Sequence, residues 1–323
     1  MLTDQFGRAI DYLRLSVTDR CDLRCSYCMP KGFKDFEEPR HWLSFDEIER
    51  VVRAFARLGL HRIRLTGGEP LLRKNLHELA ARISAIPGMT DLSLSTNGTQ
   101  LEKQARVLRT AGVTRLNVSL DTLDSSRFAA ITKRDVLDRV LRGLIAARDE
   151  GFGPIKINMV AMAGVTDDEI DAMVAFCIEQ RFVLRLIEVM PVGDTGRNSA
   201  PMELGRTQER LRARFGLIDG IVPGAGPARY MVSHDGRFQI GFITPISQHF
   251  CENCNRVRLS VDGTLHLCLG QNDTVDLRTP MRDGCTDDQL EALLRDAIQR
   301  KPLRHEFLER PGRIVHFMSA IGG

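Results

Sequence analysis

The amino-acid sequence of this 323-residue chain predicts an α/β fold, a parallel sheet whose strands alternate with helices, followed by a smaller region of antiparallel hairpins. Strand-like and helix-like periodicities alternate through six strands between residues 11 and 188. Each strand keeps apolar side chains on one face and polar ones on the other, which suits a sheet with helices outside and a polar lumen inside. After Glu188 the alternation stops and Pro/Gly-rich loops and hairpin turns take over. The length fits two domains of ~150 residues or one large barrel. The expected division is 1–200 and 201–323.

Residues 11–18 (DYLRLSVT) alternate as a strand should and run directly into a cysteine-rich loop. A helix starts at Ser44, where Ser44 and Glu47 form a capping box, and stops at Gly59. RIRLT (62–66) precedes a helix near 75–86, and DLSLST (91–96) one near 100–111. TRLNVSL (114–120) is followed by helical segments to about residue 150. PIKINMVA (154–161) precedes a helix near 166–180, and FVLRLIE (182–188) closes the series. RYMVSHDGRFQIGFIT reads as two strands about an Asp235-Gly236 turn, and RVRLSVDGTLHLC as two about Asp262-Gly263. The second hairpin starts beside Cys254 and returns to Cys268. GAG in IVPGAGPARY neither follows a strand nor opens a helix, so it is no dinucleotide fingerprint. A helix near 286–300 precedes the Pro/Gly-containing tail.

Hydrophobic residues make up 43% and charged residues 27%, which excludes a disordered chain. Lys+Arg minus Asp+Glu is 45 − 42 = +3, too small a surplus for a general nucleic-acid coat. No apolar run approaches the ~18–20 residues of a membrane span, and MLTDQFGRAI lacks a signal-peptide core. A cytoplasmic protein without nucleic-acid or membrane partners is expected.

Eight cysteines are then unusual. Clustered thiols in a reducing compartment point to metal or catalysis before disulfides. Cys21, Cys25 and Cys28 form CxxxCxxC; Cys251 and Cys254 form CxxC, with Cys268 thirteen residues on. Structural zinc takes four protein ligands. A [4Fe–4S] cluster also takes four, so three thiolates leave one iron open for chemistry. A zinc ribbon completed by Cys285 or His249 is the alternative for the second trio. Cys177 lies on the apolar stripe of a helix and reads as a core thiol. The polar strand faces carry Arg14, Arg64, Lys156 and Arg185. Cations gathered in a lumen need anionic partners, which suggests a phosphate-rich substrate.

CDLRCSYC after the first strand and LTGGEPLLR (65–73) after the second resemble the cysteine and GGEP motifs of radical S-adenosylmethionine (SAM) enzymes. Taken with RLSVTDRCDLRCSYCMP, RIRLTGGEPLLR, NVSLD, the second trio and a terminal Gly-Gly, nearly the whole chain resembles the GTP 3′,8-cyclase family of molybdenum-cofactor biosynthesis. The resemblance implies an incomplete (βα)6 TIM-like barrel with a C-terminal α+β extension covering the open side. It implies two [4Fe–4S] clusters, the first on Cys21, Cys25 and Cys28, where the open iron binds SAM, and the second on Cys251, Cys254 and Cys268. Tyr27, Gly68, Ser119 and Met190 would line the SAM site. Arg14, Arg64, Ser95, Lys156, Arg185, Arg256 and Arg258 would contact GTP; family members often have Thr where Ser95 stands. Arg256, Arg258, Gly322 and Gly323 would serve catalysis, with the flexible Gly-Gly entering the site.

In that family, SAM cleavage yields a 5′-deoxyadenosyl radical that takes hydrogen from the ribose C3′ of GTP, and the carbon radical attacks guanine C8. Implied partners are GTP, an electron donor of flavodoxin or ferredoxin type, and a downstream cyclic pyranopterin monophosphate synthase; monomer and homodimer both stay open. Two other readings compete. One is a two-cluster radical SAM enzyme acting on peptide or RNA; the other is a zinc-ribbon binding module.

Overall fold

A computed structural model describes residues 1–28, 39–192, 196, 199–221, 226–307, 309 and 321–322. Six strands, β1 (Tyr12–Ser16), β2 (Arg62–Thr66), β3 (Asp91–Thr96), β4 (Arg115–Ser119), β5 (Ile155–Ala161) and β6 (Val183–Glu188), lie parallel in chain order. Helices α1 (Phe45–Arg57), α2 (Leu76–Ser84), α3 (Leu101–Thr110), α4 (Ser125–Thr132), α5 (Leu137–Asp149) and α6 (Asp167–Gln180) fill the crossovers. Local chemistry sets their ends. Ser44 Oγ accepts from Glu47 N at 3.1 Å while the Glu47 carboxylate accepts from Ser44 N at 2.8 Å, and Thr166 with Glu169 repeats the device at α6. Such caps contribute about 1 kcal/mol each.

Helix α1 buries Ile48, Val51, Val52 and Phe55, a stripe at helical spacing. Leu13, Leu15, Ile63, Leu65, Leu94, Leu116, Val118 and Ile157 meet the helices from the sheet, all fully buried. Each contributes about 1.5–3 kcal/mol on leaving water, so this outer layer fixes the barrel. Because side chains alternate, the same burial turns Tyr12, Arg14, Arg64, Ser95, Asn117, Ser119, Asn158 and Arg185 inward.

The C-terminal region adds β7 (Leu217–Gly220), β8 (Arg229–Ser233), β9 (Gln239–Ile243), β10 (Arg256–Leu259), β11 (Thr264–His266) and β12 (Thr274–Asp276). The expected turns at Asp235-Gly236 and Asp262-Gly263 join β8 to β9 and β10 to β11. β7 and β12, short and polar, are not apparent from sequence periodicity. The fold is an incomplete (βα)6 barrel with a C-terminal α+β extension, and the extension does more than cover it. β10 pairs parallel with β1 and β9 parallel with β6, so one twelve-stranded sheet runs β12-β11-β10-β1-β2-β3-β4-β5-β6-β9-β8-β7. No helix among the described residues is long and apolar enough to cross a membrane.

Candidate active site

The first cysteine trio follows β1, and the GGEP loop after β2 folds against it. Gly68 N donates to Thr18 O at 2.9 Å and Glu69 N to Arg20 O at 2.6 Å. A Cβ on Gly67 would lie 2.2 Å from Thr18 O, and one on Gly68 2.1 Å from Arg20 O, so only glycine permits this approach. Glu69 is fully buried and accepts from Thr96 Oγ1 at 2.7 Å, Asn97 N at 2.6 Å and Leu71 N at 3.0 Å. Burial outweighs these bonds and pushes its carboxyl up to about 8. The motif's glutamate thus staples β2, β3 and the cysteine loop together, while Gly67 and Gly68 face the cavity.

That cavity is lined by Cys21, Cys25 and Cys28 and by Tyr27, Gly68, Ser119 and Met190, the four residues expected around SAM. Tyr27 is anchored by its hydroxyl, which donates to Asp121 at 2.8 Å; Asp121 in turn accepts from Val160 N at 2.8 Å. Burial raises Asp121 to about 6. It pushes Cys21 up to about 12, with Glu69 adding to the effect, and Cys28 to about 11, while Cys25 is raised strongly. These thiols ionise when a cation replaces their protons.

A second cavity is lined by Cys251, Cys254 and Cys268 together with Arg14, Arg64, Arg185, Arg256 and Arg258. Asn158, Ile187 and Met190 line both cavities, which therefore adjoin. Strand register explains the cation cluster. Arg258, Arg14 and Arg64 are neighbours across β10, β1 and β2, and Tyr12 lies beside Arg256. Burial and mutual repulsion lower Arg14 strongly, and both Arg185 and Arg258 fall to about 10. Arg185 rests on the amide oxygens of Asn158 at 2.8 Å and Asn117 at 2.5 Å. Arg258 donates to Ile321 O at 3.2 Å and to Gly322 O. Gly322 (φ +76) fits where a Cβ would strike Thr66 at 2.2 Å, so Gly322 itself lies against the inner ends of β1 and β2. Gly323 lies outside the described residues.

Two residues expected to contact GTP do not line this second cavity. Ser95 lines the first cavity. Lys156 reaches neither cavity wall, because its Nζ lies 3.0 Å from the Tyr230 hydroxyl, for which the bare Gly241 leaves room. Burial, then Arg185, Arg115 and Arg64, lower Lys156 to about 7. Tyr12 and Tyr230 escaped selection in the sequence, although period-two alternation places Tyr12 on the face of Arg14.

The residues fit the groups that the motifs imply. Tyr12 Oη, Arg64 Nε, Ser95 Oγ and Arg256 Nε are buried without a hydrogen-bond partner, as expected where a polar ligand completes the site. No three described His, Cys, Asp or Glu side chains converge on a single ion. A four-iron cluster needs no such convergence, since each thiolate binds its own iron.

Comparison with known proteins shows the family. Residues 15–177 match the radical SAM superfamily and residues 182–307 the Molybdenum Cofactor Synthesis C family. A GTP 3′,8-cyclase of Hydrogenovibrio crunogenus is 44% identical over 100% of this chain and 99% of its own. The chain belongs to the GTP 3′,8-cyclase family. A second relative of that name, from Paracoccus denitrificans, is 45% identical over 100% of this chain and 96% of its own. Among solved structures, SuiB of Streptococcus suis shares the fold, with a TM-score of 0.66 at 16% identity over 91% of this chain and 67% of that one. Enzymes of the GTP 3′,8-cyclase family use SAM and iron–sulfur clusters.

Proposed function

We propose that this chain converts GTP to 3′,8-cyclo-7,8-dihydro-GTP, joining ribose C3′ to guanine C8 as the first step of molybdopterin biosynthesis. The observation that carries this reading is the arginine row Arg258–Arg14–Arg64 beside the second cysteine trio, in a cavity that adjoins the SAM-side cavity. Cys21, Cys25 and Cys28 hold one [4Fe–4S] cluster, and Cys251, Cys254 and Cys268 the other. When bound, SAM and its cluster supply the hydrogen-abstracting radical chemistry.

The chain's own residues bind and orient. Tyr27, Gly68, Ser119 and Met190 wall the SAM side, and Ser95 offers a hydroxyl at the junction. Arg14, Arg64, Arg185, Arg256 and Arg258 take the triphosphate, whose charge relieves their mutual repulsion, and Lys156 adds its charge from behind Arg185. Arg258 also fixes the Gly322 carbonyl, which brings the Gly322-Gly323 tail to the reacting nucleotide. Buried walls exclude bulk water, which strengthens the arginine–phosphate attraction and keeps the reacting groups apart from solvent.

A flavodoxin- or ferredoxin-type protein delivers the electron, and the product passes to a cyclic pyranopterin monophosphate synthase. Free thiols throughout suit a reducing cytoplasm. Division near residue 200 separates the SAM-binding part from the part bearing the second trio. The test is anaerobic incubation of the iron-loaded chain with reductant, SAM and GTP. GTP-dependent 5′-deoxyadenosine formation with loss of GTP is expected; SAM cleavage indifferent to GTP refutes the reading.

A further inference from the structure

The two cysteine trios differ in the charges around them. Around the first stand the carboxylates Glu69, Asp22 and Asp121, with the Arg24 guanidinium on the backbone carbonyl of Cys21. At the second trio stands Lys301, just beyond the helix Asp287–Gln299. Lys301 is 1% exposed and lines the same cavity as Cys251, Cys254 and Cys268. Its Nζ donates to the carbonyl of Leu267, the residue before Cys268, at 2.6 Å.

A buried ammonium is strongly unfavourable unless an anion faces it. Among the described residues no carboxylate pairs with Lys301. Of the other cations nearby, Arg256 and Arg258 line the same cavity, while Arg8 is already matched by Asp4 at 2.6 Å and spends three of its remaining N–H groups on the carbonyls of Cys251, Leu303 and Pro302. The available anions are the thiolates themselves.

We propose that Lys301 is the built-in counter-charge of the second cluster, a positioning residue that favours the cluster's reduced form. This rests on the reading that Cys251, Cys254 and Cys268 hold a [4Fe–4S] cluster. An oxidised cubane at the 2+ level with three thiolates carries a charge of about −1, and one-electron reduction takes it to about −2. A fixed positive charge beside it stabilises the second state more than the first, so it raises the midpoint potential. Asp4 cancels Arg8, which leaves Lys301 as the uncompensated charge of the pair.

The experiment compares iron-loaded wild type, Lys301→Met and Lys301→Arg by iron content and by EPR-monitored redox titration without SAM or GTP. The second cluster's signal is the one that survives in a Cys21/Cys25/Cys28→Ala background. Wild type is expected to carry about eight irons. Lys301→Met is expected to shift the second midpoint to more negative potential and leave the first in place, while Lys301→Arg stays with wild type. Loss of about four irons in Lys301→Met but not in Lys301→Arg also supports the counter-charge. Unmoved potential in an eight-iron Lys301→Met protein overturns the proposal, as does equal damage by Met and Arg. A wild-type chain that takes up only about four irons overturns the cluster reading itself, and the proposal with it.

Discussion

Lys156 offers a quantitative test of whether the lumen binds a polyanion. Buried among Arg185, Arg115 and Arg64, with Asp91 in partial compensation and Tyr230 on its Nζ, it titrates near 7 without ligand. At pH 8 it is then only about one-tenth protonated. A phosphate charge about 7 Å away, at an effective dielectric of about 20, contributes ~2.4 kcal/mol. That moves the midpoint from about 7 to nearly 9. Binding GTP at pH 8 should therefore draw in about 0.8 proton, and at pH 6 about 0.1, since the lysine is already charged there. The sign is fixed: bound GTP favours the protonated lysine, so affinity falls as pH rises above 7. Calorimetry of the iron-loaded chain in HEPES and in Tris, whose ionisation enthalpies differ, counts the protons. Lys156→Met should remove the uptake. No uptake by wild type at pH 8, or equal uptake by Lys156→Met, refutes the reasoning.

Three further outcomes are expected. Arg258→Ala removes a charged donor to substrate and frees the tail carbonyls; a loss of ~1.5–3 kcal/mol weakens GTP binding roughly 10–150-fold in equilibrium dialysis, with the first cluster's iron intact. Unchanged affinity would sink that assignment. Gly68→Ala drives a methyl group into the Arg20 carbonyl, so iron at the first trio and the melting temperature should both fall; full iron content means the contact is dispensable. Tyr12→Phe deletes a buried, unpartnered hydroxyl, and KM for GTP should rise about fivefold for ~1 kcal/mol of lost hydrogen bond, whereas an equal KM ends its role in substrate binding.

Features written in local periodicity were readable from the chain. Ser44 and Glu47 cap α1 as their spacing demands, and alternation turns Arg14, Arg64 and Arg185 inward. Non-local pairing was not readable. Nothing in RVRL says that it docks beside Tyr12–Leu15, yet that register assembles the arginine row. Lys301 follows a helix end, where no period assigns a face, and only the packed fold buries it. Lys156 keeps its predicted strand face, but its contact with Tyr230 could not be read, because that side chain arrives from a strand more than seventy residues later. In GGEP the motif marks the right loop, while the division of labour between glycine and glutamate depends on where Thr96 and Asn97 stand.

The placement of β9 and β10 has a consequence for how the protein comes into being. A ribosome that has released residues 1–188 has made every strand of the six-stranded core, with both rims unpaired: β1 awaits β10 and β6 awaits β9. Exposed rims of a hydrophobic parallel array are templates for pairing with other chains. The nascent protein is thus most prone to aggregation after the six-stranded core exists and before β9 and β10 arrive. Truncations between β6 and β9 should be the least soluble fragments of this chain.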